Sequence, residues 1–171
     1  MRNLNIDAVE QSAAKARQEP EALRQHVELK GEWQTGEGEP QFRATIPYPQ
    51  GEVEFTADFP PPLGGSGAAP SPLAYCFWGG LACYAMTFAT EAAREGVELS
   101  ALHGTVEADV DLTRSLGVSD NPPVSEIRWT LQVDTDAPAE TIERLKRQAD
   151  ERCPAAYCIR NPIELHTELR A

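Results

Sequence analysis

The sequence is poor in positive charge. Its 171 residues include 15 lysines and arginines against 27 aspartates and glutamates, which gives a net charge of -12 at neutral pH. Nucleic-acid phosphates and anionic lipid headgroups are bound by clustered cations. The composition therefore argues against unaided binding to nucleic acid and against attraction to a membrane surface.

Several widespread functional motifs are missing as well. The chain contains no GxGxxG or GxxxxGK phosphate-binding loop and no HExxH metal-binding motif. Its first twenty residues lack the apolar segment of a secretory signal, so we expect a cytoplasmic protein. Residues 73–90 carry no charge, but they are rich in Ala, Gly and Thr and have no flanking cluster of basic residues. We interpret this stretch as a helix buried in a protein core rather than as a membrane span.

Cysteine is also scarce. The four cysteines are Cys76, Cys83, Cys153 and Cys158. Structural disulfides are rare in a reducing compartment, and the spacings do not match common zinc-binding patterns, so no metal or other cofactor is predicted. Each cysteine taken alone is most simply a small apolar residue, with a reactive thiol as the alternative for Cys83 and Cys153. Cys76 and Cys83 lie one heptad apart, about 10 Å along a helix, which is too far for a disulfide.

What the sequence does have is regular alternation of apolar and polar residues. Six stretches show it: 27–33, 42–46, 52–59, 106–112, 127–133 and 163–169. Alternation with a period of two predicts strands that have one wet face, and such strands belong to antiparallel sheets covered on the other face.

Three helical stretches lie between the predicted strands. The first covers about residues 5–18 and is amphipathic. The second begins at Ser71, a favourable N-cap followed by proline, and stops at Gly96. The third follows Asp136 and ends near Cys153, because the proline that comes next disfavours helix at its predecessor.

Strands and helices are thus mixed without a strict βαβ alternation, which predicts the α+β class. The predicted organisation is an N-terminal helical extension, residues 1–26, followed by one domain, residues 27–171. Neither of the loops at 64–71 and 115–123 is long enough to link two domains.

Three short segments occur in an order that is similar to one known family. They are PPLGGSGAAPSPL at 61–73, LACYA at 81–85 within the apolar helix, and ADERCP at 149–154 before a last predicted strand. On these motifs, and on the order of strands and helices around them, the chain resembles the OsmC/Ohr family of osmotically inducible and organic-hydroperoxide-resistance proteins. The resemblance covers about residues 27–171.

The resemblance implies an intertwined homodimer in which curved antiparallel sheets wrap two long central helices. It also implies a two-cysteine peroxidase. Cys83 would be the peroxidatic thiolate that an organic hydroperoxide oxidises to a sulfenic acid, and Cys153 would resolve that acid as a disulfide. A dithiol reductant, lipoyl-type in several family members, would then regenerate both thiols.

In the family, an arginine near the N-terminal strands supports the thiolate, and a glutamate ten residues before the peroxidatic cysteine often holds that arginine. Arg43 is the candidate by strand position, although alternation places it on the wet face, and Arg160 is a second candidate. The position ten residues before Cys83 is Leu73. We therefore expect the thiolate to be tuned differently here, with lower activity.

Two other functions stay open beside the peroxidase. A non-catalytic member of the same fold would be a binding or stress-related protein, which the leucine at position 73 favours. A metal or persulfide carrier would use the four cysteines. The three histidines, His26, His103 and His166, are scattered along the chain and are not predicted to be catalytic.

Overall fold

The computed structural model describes residues 3–170, and the order of its elements follows the prediction up to residue 152. The helices and strands are α1 (Ile6–Gln18), β1 (Lys30–Trp33), β2 (Phe42–Tyr48), β3 (Gly51–Ala57), α2 (Pro72–Arg94), β4 (Ala101–Val110), β5 (Val124–Asp134), α3 (Ala139–Arg152) and α4 (Pro154–Arg160). One antiparallel sheet has the order β1-β2-β3, and β4 pairs with β5 in a second antiparallel sheet. The predicted α+β class is confirmed.

The chain divides into two compact units that interleave along the sequence. The first contains the described residues up to Glu10, Gly79–Val106 and those from Trp129 onward, and the second contains Gln11–Trp78 and Glu107–Arg128. The predicted division into an N-terminal extension, residues 1–26, and one domain, residues 27–171, does not correspond to these two units, and it stays a prediction.

The three-stranded sheet belongs to the second unit. β2 and β3 form a hairpin in register from Phe42 opposite Ala57 to Tyr48 opposite Gly51. The first strand was predicted from residue 27, but β1 begins only at Lys30. β2 offers partners for residues 30–33 alone, so the preceding residues have no strand to pair with and lie exposed.

A buried carboxylate organises the loop that leads into α2. Asp58 is 2% exposed and accepts hydrogen bonds from the Ser66 hydroxyl (2.7 Å), the Ser66 amide (3.1 Å) and the Ala68 amide (2.9 Å). These bonds, the Ser66 hydroxyl first, hold the pKa of Asp58 below its usual range. A Cβ on Gly65 would lie 1.9 Å from the Phe59 carbonyl oxygen, so this loop needs glycine there. The Gly-Gly motif is therefore a structural requirement of the loop.

The predicted ends of the long helix are confirmed. The Ser71 hydroxyl accepts a hydrogen bond from the Ala74 amide (3.3 Å), as an N-cap does. At the other end Gly96 has a φ of 69°, and the Val97 amide donates to the Ala92 carbonyl (2.8 Å). This is the left-handed glycine stop that the sequence predicts.

The core of the first unit forms where α2, α3 and α4 pack together. Its buried residues are Tyr84, Phe88, Ala92, Leu145, Ala149, Cys153 and Ala156. Trp129 of β5 packs against this core, with its ring centroid 5.4 Å from that of Tyr84. The sheet thereby covers the helices from one side, and a cysteine becomes part of the apolar core.

The long helix α2 is less enclosed by its own chain than the charge-free run suggests. Five of its 23 residues are buried, and they form one stripe. Elsewhere Trp78 and Met86 are 60% and 70% exposed. Among residues 3–170, α2 is the one helix long and apolar enough to cross a membrane, a test that core helices of soluble proteins also pass. The apolar pattern does not distinguish a surface covered by the chain itself from one that needs another partner.

The C-terminal part departs from the prediction in two ways. The strand predicted at 163–169 is wrong, because this segment has no regular structure, and its Leu165 and Leu169 side chains are largely exposed. No described strand pairs with it, and an extended segment needs a partner for its backbone groups. The short helix α4 was missed. It starts at Pro154 because proline, although unfavourable within a helix, is well suited to the first turn.

Two adjacent glycines in α2 provide a matched test of this packing. A Cβ on Gly80 would lie 2.6 Å from Cζ2 of Trp129, whereas one on Gly79 would meet nothing within 4 Å. We expect Gly80→Ala to lower the free energy of unfolding by about 1–3 kcal/mol through overpacking. Gly79→Ala should raise it by up to about 1 kcal/mol through helix propensity. Urea unfolding followed by circular dichroism measures both, and equal shifts would contradict the proposed contact.

Candidate active site

Two cysteines from different elements meet in the first unit. Cys83 lies in the middle of α2, and Cys153 lies 70 positions later between α3 and α4. Their Sγ atoms are 3.7 Å apart, and both are free thiols. A disulfide bond is about 2.05 Å long, so a small side-chain movement would bring the sulfurs into bonding distance.

The backbone holds Cys153 in one place. The residue ends α3, where its amide donates to the Ala149 carbonyl (3.0 Å), and it also caps α4, where its sulfur accepts from the Ala156 amide (3.5 Å). Its own backbone is extended, with φ -70° and ψ 117°, so the chain changes direction there. Cys153 is 1% exposed. Its sulfur is therefore fixed by two helices and shielded from solvent.

Cys83 is half-buried and its charge is disfavoured. Burial raises the pKa of the Cys83 thiol, and the neighbouring Cys153 and Cys158 raise it further. The Ala155 amide, in the first turn of α4, donates to the Cys83 sulfur and lowers the pKa of this thiol. The protein thus keeps Cys83 mainly as a neutral thiol at pH 7 and supplies one backbone donor for its thiolate.

A second contact joins the same two regions next to the cysteines. The Tyr84 hydroxyl donates to Oδ1 of Asp150 (2.9 Å). Asp150 also binds the Lys146 ammonium (2.8 Å) and the Arg160 guanidinium (3.4 Å). Burial, ahead of the Asp150 contact, raises the pKa of Tyr84 above its ordinary value. Tyr84 is therefore a neutral hydrogen-bond donor that ties α2 to the end of α3.

The buried carboxylate of Glu91 forms the third contact between α2 and the end of α3. Glu91 is 4% exposed, and its carboxylate binds the guanidinium groups of Arg152 and Arg94. The sequence-based predictions did not include this ion pair. The signal was available, since Glu91 is the only acidic residue in α2 and follows a long run without charge. A lone carboxylate that is buried with an apolar helix needs a cationic partner.

The two predicted arginines have other partners in the structure. Arg43 lies in the second unit, where its guanidinium binds Glu32 (3.1 Å) and Glu54 (3.9 Å), and its side chain is 43% exposed. Arg160 lies in the first unit and binds the backbone and the carboxylate of Asp150. The predicted role of Arg43 in activating Cys83 stays a prediction.

Leu73, at the position of the family's glutamate, lines an apolar pocket in the second unit. The pocket has a volume of about 320 Å³. Its walls come from the start of α2, the loop before it, the end of β4 and the loop after β4, and include Phe59, Leu63, Phe77, Val110 and Leu112. A pocket of this size and character suits a small apolar molecule.

The remaining cysteines are not part of the sulfur contact. Cys76 and Cys158 are both exposed on their helices. Within residues 3–170, no group of three or more His, Cys, Asp and Glu side chains has an arrangement that could hold a metal ion. Among the described cysteines, the arrangement best suited to redox chemistry is the pair Cys83 and Cys153.

The fold and this pair define a class: a small α+β protein with two antiparallel sheets and a candidate dithiol site on a long apolar helix. The family model of the OsmC-like proteins matches residues 64–168, which include both cysteines and the loop before α2. The chain belongs to the OsmC-like protein family.

Solved structures with the same fold agree with this assignment. A protein from Psychrobacter arcticus, named for osmotic stress induction and detoxification response, aligns with a TM-score of 0.59 at 18% identity and covers 80% of this chain and 90% of its own. An OsmC-like protein from Mycoplasma pneumoniae aligns at 0.57 and 17%, covering 81% and 89%. The organic hydroperoxide resistance protein OsmC from Legionella pneumophila aligns at 0.54 and 18%, covering 80% and 92%. A comparison with curated proteins found no match.

The raised pKa of Cys83 predicts its reactivity as a function of pH. Because folding favours the neutral thiol, less thiolate is present at pH 7 than in a free cysteine. The rate of Cys83 alkylation by iodoacetamide should rise with pH and level off above the pKa of the same residue in urea-unfolded protein. Cys153→Ala should lower that midpoint, since it removes a group that raises the pKa. A midpoint in the folded protein at or below the unfolded value would contradict this account.

Proposed function

We propose that this protein reduces organic hydroperoxides, with Cys83 as the peroxidatic thiol and Cys153 as the resolving thiol. The observation that carries the proposal is the 3.7 Å contact between two free thiols that lie 70 residues apart. Membership of the OsmC-like family supports it, as does the name of the Legionella pneumophila relative, an organic hydroperoxide resistance protein.

The proposed reaction has three balanced steps. The Cys83 sulfur attacks the peroxide and takes one oxygen, which leaves a sulfenic acid and releases the alcohol. The Cys153 thiol then attacks that sulfenic acid, so that a disulfide forms and one water leaves. Finally a dithiol reductant returns two thiols and is itself oxidised to a disulfide.

The difference in burial supports this division of roles. Cys83 is half-buried, whereas Cys153 is 1% exposed within the core, so an incoming peroxide meets the Cys83 sulfur first. The surroundings of both sulfurs are apolar, with Tyr84 and Phe88 in the same core. An apolar site favours an alkyl or aryl hydroperoxide over hydrogen peroxide, because desolvating the organic group is favourable.

Activation of the thiolate is the demanding part of this chemistry. The Ala155 amide donates to the Cys83 sulfur, and this donor becomes stronger when the sulfur is charged. Arg43 is the proposed cation, although in the structure it is bound to Glu32 and Glu54. With leucine at position 73, the family's carboxylate is absent from its usual place, so we expect slower turnover than in relatives that have it.

A homodimer is part of the proposal. α2 presents uncovered apolar side chains, among them Trp78 and Met86, and a long apolar helix that its own chain leaves partly uncovered suits burial against a second copy. The proposed compartment is the cytoplasm, where small dithiols, including lipoyl-type groups, keep such a pair reduced.

A second candidate function is non-catalytic ligand binding on the same fold. The 320 Å³ apolar pocket lined by Leu73 favours it, as does the raised pKa of Cys83. In that case the protein would hold a small apolar molecule and its thiols would ignore peroxide.

The first test adds one equivalent of cumene hydroperoxide to the reduced protein, quenches with an alkylating reagent and maps the products by peptide mass spectrometry. We expect a disulfide between Cys83 and Cys153 within seconds. Cys83→Ser should abolish peroxide consumption, and Cys153→Ser should stop at a sulfenic acid on Cys83 that dimedone traps. The exposed Cys76→Ser serves as the matched control and should behave as wild type.

Two other results would contradict the proposal. If all four thiols remain alkylatable at millimolar peroxide, the peroxidase proposal fails and ligand binding takes its place. A disulfide that forms without Cys83 would instead contradict the assignment of roles.

The subunit contact can be tested independently. Analytical ultracentrifugation should give a mass twice the 18.7 kDa of one chain. Met86→Asp places a charge on the uncovered face of α2 and should shift the population to monomer. Val118→Asp changes an equally exposed apolar residue in the loop after β4 and should leave the dimer intact. A wild-type mass of one chain would contradict the dimer.

A further inference from the structure

We infer that the ion pair between Glu91 and Arg152 is a positioning device for the resolving thiol and sets how readily the disulfide between Cys83 and Cys153 forms. The inference rests on the proposed roles of the two cysteines. It assigns to Glu91 and Arg152 an indirect role, since neither group touches a sulfur.

The position of the pair along the chain is what suggests this role. Arg152 is the last residue of α3 and immediately precedes Cys153, and its guanidinium binds the Glu91 carboxylate. Glu91 lies on α2 eight residues after Cys83, about two turns along the helix. The pair therefore connects the helix that carries Cys83 with the residue next to Cys153.

The ion pair joins a buried carboxylate to a half-exposed guanidinium. The Glu91 side chain is 5% exposed, and its two oxygens are shared between Arg152 and Arg94. Arg94 is held in turn by Glu10 of α1 (2.6 Å). A buried carboxylate with two bound guanidinium groups resists dissociation, because an unpaired charge would remain in the core.

A second ion pair between the end of α2 and α3 provides a comparison. Glu95, the residue after α2, binds Arg144 of α3 at 2.6 Å, and its side chain is more exposed than that of Glu91. Arg144 lies eight residues, about two turns, before Arg152, so its contact with Glu95 helps to pack α3 without involving the last turn of that helix. The pair of Glu95 with Arg144 stabilises the packing of the helices, whereas the pair of Glu91 with Arg152 also orients the thiol.

The chemistry depends on where Cys153 is held. Once Cys83 is a sulfenic acid, Cys153 must attack it, forming the sulfur–sulfur bond and releasing water. A second peroxide competes for the same sulfenic acid and would convert it to a sulfinic acid. If the last turn of α3 is released from Glu91, the Cys153 sulfur spends less time beside Cys83, and the balance moves toward the sulfinic acid.

The first experiment needs no peroxide. The full-length protein is equilibrated in glutathione redox buffers, and the ratio of disulfide to dithiol for Cys83 and Cys153 is measured by mass spectrometry. Glu91→Gln should lower the equilibrium constant for the disulfide roughly tenfold, because a less well held Cys153 has a lower effective concentration beside Cys83. Arg152→Gln should do the same, and Arg152→Lys should restore part of it.

Two matched variants separate positioning from general stability. Arg94→Gln also removes one guanidinium from Glu91, but this arginine is not adjacent to Cys153. Arg144→Gln removes the second ion pair, which this arginine makes with Glu95. Both should lower the thermal unfolding midpoint while leaving the glutathione equilibrium constant within about twofold of wild type. Arg152 is 48% exposed, so its variants decide the question if Glu91→Gln does not fold.

The second experiment measures how the sulfenic acid partitions. With cumene hydroperoxide in excess, Glu91→Gln and Arg152→Gln should accumulate more dimedone-trapped sulfenic acid and more sulfinic acid on Cys83 than wild type. Unchanged glutathione constants in both variants would overturn the inference, even if the peroxidase reaction proceeds. If no thiol reacts with peroxide while the glutathione constants fall as expected, the proposed function fails and the positioning role stands.

Discussion

The attachment of the last turn of α3 to the middle of α2 is the constraint on which the first unit depends. Three contacts make it: the apolar core around Phe88 and Leu145, the hydrogen bond from Tyr84 to Asp150, and the ion pair of the buried Glu91 carboxylate with Arg152. Apolar packing is not directional, whereas the two polar contacts have defined geometry. Together they determine which residue of the α3–α4 junction faces Cys83.

This arrangement explains how two thiols meet without a disulfide to hold them. Cys153 occupies a core position that any small apolar residue could fill, and its sulfur also caps α4. Cys83 lies on the same buried side of α2 and receives the amide of Ala155. Each thiol therefore has a structural reason to be where it is, and the contact of 3.7 Å follows from the packing of three helices.

Much of this could be predicted because the relevant signals are local. Alternation identified five strands, although with shifted ends, and Ser71 and Gly96 marked the ends of α2 through backbone hydrogen bonds that the structure contains. The two cysteines came from a resemblance in motif order, since each alone is an ordinary core residue.

Two of the failures have a common physical cause in long-range pairing. The alternating segment at 163–169 has the pattern of a strand, but no described strand pairs with it, and pattern alone carries no information on partners. The Glu91–Arg152 pair joins residues 61 positions apart and has no motif. α4 was missed for a local reason, because the proline was taken only as the end of α3.

The separation of the two thiols along the chain has a further consequence. A bond between Cys83 and Cys153 would close a covalent ring of about 70 residues that contains β4, β5 and α3. Closing a ring of that size removes about 4 kcal/mol of conformational freedom from the unfolded chain. By thermodynamic linkage, disulfide formation is more favourable in the folded chain than in the unfolded chain by the same amount. In the proposed cycle each turnover therefore alternates the protein between a linear chain and a cross-linked one, and the oxidised form is the one more resistant to unfolding.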